Sequence, residues 1–76
     1  MTKLEREKIN TLVLDWGYDS QDEMAYDCMF KSVVGGICMN EGCDYTTDVE
    51  PDCEHGWCEM CDTNTVMSGG RLLGVI

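Results

Sequence analysis

A chain of 76 residues makes one domain, of a size at which an apolar core alone supplies no more than about 3 to 5 kcal/mol of net stability, so a staple is expected. Six cysteines can provide it, as disulfides in an oxidising compartment or as metal ligands in a reducing one. The net charge of −10 is unevenly spread: residues 1–35 carry four cations against seven acids, whereas residues 36–76 carry Arg71 against eight, and no Lys or Arg stands between Cys38 and Met67. Phosphate contacts need those two residue types, so the second half of the chain is poorly suited to nucleic acid.

The N-terminus Met1-Thr2-Lys3-Leu4-Glu5-Arg6-Glu7-Lys8 is charged and helix-forming, without an apolar leader core or a small-residue cleavage site. The expectation is a cytoplasmic chain with reduced thiols. No apolar run approaches the roughly 20 residues that span a bilayer. Thr2 with Glu5 fits a capping box, and Ile9, Leu12, Val13 and Trp16 recur at helical spacing, predicting a first helix over residues 3–15. Ser20 with Glu23 repeats the capping pattern. Ala25, Cys28, Met29 and Val33 then predict a second helix over 21–32, and the two helices are expected to form a hairpin. Gly35-Gly36 is expected to turn the chain out of the helices, glycine reaching positive φ without strain.

After Cys43 the β-formers Tyr45, Thr46, Thr47 and Val49 precede Glu50-Pro51-Asp52, a turn signal, and Gly56-Trp57 leads back, which predicts an antiparallel hairpin with its tip at residues 50–52. Thr63, Thr65, Val66 and Met67 propose a further strand broken by Ser68-Gly69-Gly70. Leu72, Leu73, Val75 and Ile76 are expected to pack as an added apolar C-terminal strand or against the helices. The aromatics Trp16, Tyr18, Tyr26, Phe30, Tyr45 and Trp57 are expected mostly to build the core, with Trp57 shielding the neighbouring cysteine site.

Four residues lie between Cys38 and Cys43, two between Cys58 and Cys61, and fourteen between the two pairs. Each pair can curl as a tight turn around one ion while the intervening segment leaves and returns. Four thiolates close a tetrahedral shell around Zn²⁺ with no position for water, the signature of a structural site. Sets that include Cys53 or His55 remain alternatives, as does a disulfide framework. Cys28, on the predicted apolar face of the second helix, is read as a small buried hydrophobe.

The segments Gly36-Ile37-Cys38, Gly42-Cys43-Asp44-Tyr45-Thr46-Thr47, Val49-Glu50-Pro51-Asp52, Gly56-Trp57-Cys58-Glu59, Cys61 and Thr63-Asn64-Thr65-Val66 together resemble a group of small zinc-ribbon proteins of bacteria and their phages. The resemblance covers about the last 55 residues and brings no activity with it. It implies Cys38, Cys43, Cys58 and Cys61 as the ligands of one structural Zn²⁺. Cys53 departs from the pattern, and Asp62 stands where a glycine is expected.

Other chemistries fit less well. Trp57-Cys58-Glu59-Met60-Cys61 reads as a thiol redox motif, but Pro51 and Gly56 precede it and β-formers follow, where a redox fold needs a strand before and a helix after. Asp44, Asp48, Glu50, Asp52 and Glu54 form an acidic run, yet a calcium loop needs glycine at its sixth position and counting from Asp48 that position is Cys53. His55 has no nucleophile beside it and is read as a surface residue.

The sequence therefore predicts a small α+β fold, an N-terminal helical hairpin docked on a C-terminal antiparallel zinc ribbon, in one domain over residues 1–76. It predicts no enzyme but a zinc-stabilised protein-interaction module, a phage-type accessory or inhibitor factor. Asp48, Glu50, Asp52 and Glu54 would meet a basic protein partner, such as a nucleic-acid-binding host protein. A nucleic-acid-binding zinc ribbon acting in transcription or replication, and a thiol redox protein using Cys58 and Cys61, are the competing readings.

Overall fold

The computed structural model describes residues 2–75, in the order α1 (Lys3–Asp15), α2 (Gln21–Phe30), β1 (Val34–Cys38), β2 (Thr46–Val49), β3 (Gly56–Cys58), β4 (Thr63–Ser68) and α3 (Gly69–Leu73). The fold is α+β. Its helices lie with a curled antiparallel sheet of order β2-β1-β4-β3. Among the described residues no helix is long and apolar enough to cross a membrane.

α1 begins where its capping box closes. Thr2 Oγ1 accepts from the Glu5 N–H at 3.1 Å, and Glu5 Oε1 accepts from the Thr2 N–H at 3.0 Å. Ile9 and Leu12 are fully buried, with Val13 and Trp16 packed at the edge of the same cluster. α2 starts at Ser20, whose Oγ accepts from the Glu23 N–H at 3.2 Å. It stops at Phe30, two residues before the predicted end, because Lys31 turns extended (φ −103°, ψ 150°) to feed β1.

The buried face of α2 differs from the predicted one. Met24 and Cys28 are buried while Met29 and Val33 are exposed. Apolar residues stand on more than one side of this helix, so spacing alone could not choose the face. The choice falls to α3, whose Gly69 brings its backbone against Met24: a Cβ at Gly69 would lie 2.9 Å from the Met24 sulfur. The aromatic expectation needs the same correction, since Tyr26, Phe30 and Trp57 are all exposed and the core is aliphatic, built on Ile9, Leu12, Met24, Val34, Ile37 and Leu72.

The predicted hairpin between residues 45–49 and 56–57 does not form. β2 and β3 are the two opposite edges of the sheet, because each pairs across its own cysteine turn: β1 with β2 (Val34 opposite Val49, Ile37 opposite Thr46) and β3 with β4 (Gly56 opposite Val66, Cys58 opposite Thr63). β1 and β4 then join the two hairpins, with Cys38 opposite Val66. Residues 50–55 connect the edges, pinned where the Ser68 N–H donates to the Cys53 carbonyl at 2.9 Å.

Gly35 and Gly36 are not a turn but the middle of β1. They are needed for close approach: a Cβ at Gly35 would lie 2.9 Å from the Trp16 ring, and one at Gly36 would lie 2.7 Å from Val49 Cγ2. The expected apolar C-terminal strand is a helix instead. Ser68 ends β4 and caps α3, its Oγ accepting from the Arg71 N–H at 3.1 Å, and Gly74 closes it in the left-handed region at φ 75°. Leu72 is buried against the helices, while Ile76 lies outside the described residues.

Candidate metal centre

Each of the two hairpins turns on a cysteine pair. In the first, the Cys38 N–H donates to the Tyr45 carbonyl at 2.9 Å and the Cys43 N–H to the Asn40 carbonyl at 3.2 Å, with Gly42 at φ +82° carrying the chain round. In the second, the Asp62 N–H donates to the Cys58 carbonyl at 2.8 Å. Asp62 takes a left-handed backbone, φ 55°, the conformation of the glycine expected there; a short polar side chain is among the few that tolerate it.

Pairing β1 with β4 brings these turns together. The Sγ atoms of Cys38, Cys43, Cys58 and Cys61 all lie within 4.8 Å of one another, and all four cysteines are free thiols. Cys38 Sγ is 3.9 Å from Cys61 Sγ, and Cys43 Sγ is 3.7 Å from Cys58 Sγ. Disulfides need about 2.05 Å, so these pairs are not bonded. A tetrahedral metal with bonds of about 2.3 Å sets its sulfurs about 3.8 Å apart, which these separations match. The four thiols can therefore hold one metal ion, at a point where Cys38 and Cys58 are buried and Cys43 and Cys61 half-buried.

The thiols are not equivalent. Burial pushes Cys38 up, but the Thr65 hydroxyl at 3.1 Å, the Asn40 backbone and the thiols of Cys58 and Cys43 outweigh it and bring Cys38 to about 7. At Cys43 a backbone hydrogen bond at Tyr45 pulls downward, but burial and the thiols of Cys61 and Cys38 leave it above the ordinary thiol value. Burial raises Cys58 most, with the Cys38 thiol adding to it. Of Cys38, Cys43 and Cys58, Cys38 is the one whose surroundings favour the thiolate.

Cys53 and His55 stand apart from this cluster. Cys53 Sγ faces the Val66 carbonyl at 3.8 Å, and His55 is a surface side chain 4.0 Å from Glu54. Trp57 is 51% exposed and does not cover the site: adjacent strand residues face opposite sides, so turning Cys58 inward turns Trp57 out. Cys28 is buried in the helical core, where burial holds its thiol up, as for a small hydrophobe. The acidic residues are not gathered at a hairpin tip. Asp48 lies on edge strand β2, Glu50 and Asp52 are exposed on the connection to β3, and Glu54 pairs with Arg71.

Three residues that sequence reasoning passed over hold the first cysteine turn in place. Lys8, only 3% exposed, reaches from α1 to donate to the carbonyls of Asn40 (2.7 Å) and Cys43, with Asp44 at 3.9 Å. The Asn40 amide donates to the hydroxyls of Thr63 at 3.3 Å and Thr65 at 3.4 Å on β4. Thr65 in turn faces Cys38. The one signal for Lys8 was its place beside Ile9 and one turn before Leu12, on the inward side of the helix; Asn40 and Thr65 carried none. Comparison of the chain with family models, with curated proteins and with solved structures finds no match.

Proposed function

We propose that this chain is a non-enzymatic protein-interaction module stapled by one structural Zn²⁺, of the zinc-ribbon kind found in bacteria and their phages, and that it acts as an accessory or inhibitor factor on a basic host protein. The observation that carries the metal is the convergence of four thiols within 4.8 Å of one another. Such a donor set completes a tetrahedron from the protein alone and leaves no position for a reacting water, so the metal stabilises rather than catalyses. Bound, the ion would supply folding free energy and, with four thiolates, add a net −2 to a chain already at −10.

The charge arrangement favours a basic partner over nucleic acid. Three of the five cations are spoken for: Lys8 is buried on backbone carbonyls, Lys31 lies 3.2 Å from Asp27, and Arg71 pairs with Glu54. Asp48, Glu50 and Asp52 are exposed. Such a surface repels phosphates and steers Lys- and Arg-rich surfaces, in a way that salt weakens.

The test neutralises Asp48, Glu50 and Asp52 together as Asn, Gln and Asn, leaving Glu54 with Arg71. Protein recovered from a host lysate by the immobilised parent should be released by salt and recovered less well by the variant, because exposed charges act mainly on the association rate. Recovery by the variant equal to the parent's would remove the acidic surface from the reading. Tight binding of the parent to duplex or single-stranded DNA or RNA would replace it with the nucleic-acid one.

A further inference from the structure

Strand β2 is an edge of the sheet, and nothing among the described residues lies in the sheet beyond it. The Cys38 N–H donates to the Tyr45 carbonyl, which sets the phase of the β1–β2 ladder. Tyr45, Thr47 and Val49 bond inward, towards Cys38, Gly36 and Val34, so the backbone N–H and C=O groups of Thr46 and Asp48 point away from the sheet. Edge strands are ordinarily blunted by Lys, Pro, a bulge or brevity. The opposite edge, β3, is three residues long with a shift of register between Gly56 and Cys58. By contrast β2 runs four residues in unbroken register, without Lys or Pro. Its side chains alternate. Thr46 and Asp48 face one side, where the Thr46 hydroxyl donates to the Asp15 carboxylate and both Asp15 and Asp48 are exposed; Thr47 and Val49 face the other and are half-buried.

We propose that β2 takes up an extended segment of a basic protein as an antiparallel fifth strand, a segment with Lys or Arg at alternate positions and β-branched apolar residues between them. The proposal rests on the acidic-surface reading above and adds to it the form of the partner. The outward groups of Thr46 and Asp48 call for donors and acceptors at strand spacing, which an extended backbone supplies and side-chain cations alone do not. Charge then selects the sequence. A residue opposite Asp48, and another two positions along opposite Thr46 and beside Asp15, stand on the acidic side at Cβ separations of about 4.5–5.5 Å, where opposite charges attract. The residues between them fall beside Thr47 and Val49, where apolar side chains fit. A second copy of this edge is disfavoured on the same ground, because it brings Asp15, Asp48 and Glu50 of one chain towards the same acids of the other.

The test titrates isotope-labelled, metal-loaded protein with an end-capped six-residue peptide alternating Lys and Val, up to about 2 mM. The amide signals of Thr46 and Asp48 should move saturably, and their hydrogen exchange should slow. The same peptide N-methylated at its Lys residues keeps the charge but loses the donors that face β2, and should bind about tenfold more weakly or worse. A peptide with Glu in place of Lys should also bind about tenfold more weakly or worse. Asp48→Lys should reverse the preference between the Lys and Glu peptides while leaving metal content and circular dichroism unchanged, since Asp48 is exposed. Equal binding of the N-methylated peptide would mean a contact by charge alone and overturns the proposal, as does the absence of any shift at Thr46 and Asp48 by about 2 mM. An Asp48→Lys variant that still prefers the Lys peptide overturns the charge selection. Signals of β2 that move with protein concentration alone would put a second copy on the edge and overturn the choice of partner. The proposed function fails separately: it stands if salt-sensitive capture from lysate persists while the peptide leaves β2 untouched, and it falls if neutralising the acids leaves that capture unchanged.

Discussion

The Lys8 ammonium, buried beneath the first cysteine turn, donates to the Asn40 carbonyl at 2.7 Å across a sequence separation of 32 residues. A buried cation is costly unless its donors are satisfied. Here a second bond, to the Cys43 carbonyl, and the nearby Asp44 carboxylate complete the arrangement. The same carbonyls belong to the turn that presents Cys38 and Cys43, so α1 and the metal centre are parts of one structure.

Lys8→Met should therefore act at both places. It keeps the apolar stem but leaves the Cys43 carbonyl without its donor and the Asn40 carbonyl with the Cys43 N–H alone, at a cost of about 1–3 kcal/mol. Chemical denaturation of the metal-loaded protein should show that loss, and competition with a chelator should show weaker metal binding. Stability and affinity both equal to the parent's would mean that Lys8 does not support the turn.

The ligand assignment separates cysteines that the sequence alone left in competition. Purified protein should carry one Zn²⁺ per chain, and a chelator should unfold it, because in domains of this size metal-binding free energy is largely folding free energy. Cys58→Ser removes a thiol from the cluster and should lose metal and fold together. Cys53→Ser loses one weak contact, with the Val66 carbonyl, and should keep both. Elemental analysis and circular dichroism of the two variants decide; iron in place of zinc, or metal loss from Cys53→Ser, would contradict the assignment.

Asp62 carries backbone strain that glycine would relieve. With φ at 55°, Asp62→Gly should be neutral to stabilising by up to about 1 kcal/mol. Asp62→Val, with a branched side chain in the same conformation, should destabilise by about 1–2 kcal/mol. Thermal melts of the metal-loaded variants measure both, and a Val variant as stable as the parent would show that the turn does not hold this conformation in solution.

Tyr18 makes alkaline pH a probe of the helical half. Burial first, and then its hydrogen bond to the Asp27 carboxylate, push its hydroxyl up to about 12 from an ordinary 10. The folded state thus holds this proton more tightly than the unfolded chain, so the stabilisation is complete below pH 10 and is lost as pH rises from about 10 to about 12. Tyr18→Phe should remove that component: its stability should fall less steeply over this window than the parent's. Tyrosinate absorbance of the parent should show a late-titrating component that Tyr18→Phe removes. Parallel stability curves for parent and variant would show that Tyr18 has no shifted proton.

The sequence by itself determined the local features. The span of α1 and its cap, the start of α2 and the two cysteine turns all depend on residues within a few positions of one another, so capping chemistry and ligand spacing sufficed. Tertiary structure decided what those pieces face. Which side of α2 is buried depends on Met24 meeting Gly69, far along the chain; β2 and β3 part because each cysteine turn is itself a hairpin turn; and Gly35 and Gly36 are small because Trp16 and Val49 press on them. The same limit hid Lys8. A lysine on a charged helix reads as a solvated residue, and only the chain folding back to place two carbonyls over it turns it into a buried anchor for the metal centre.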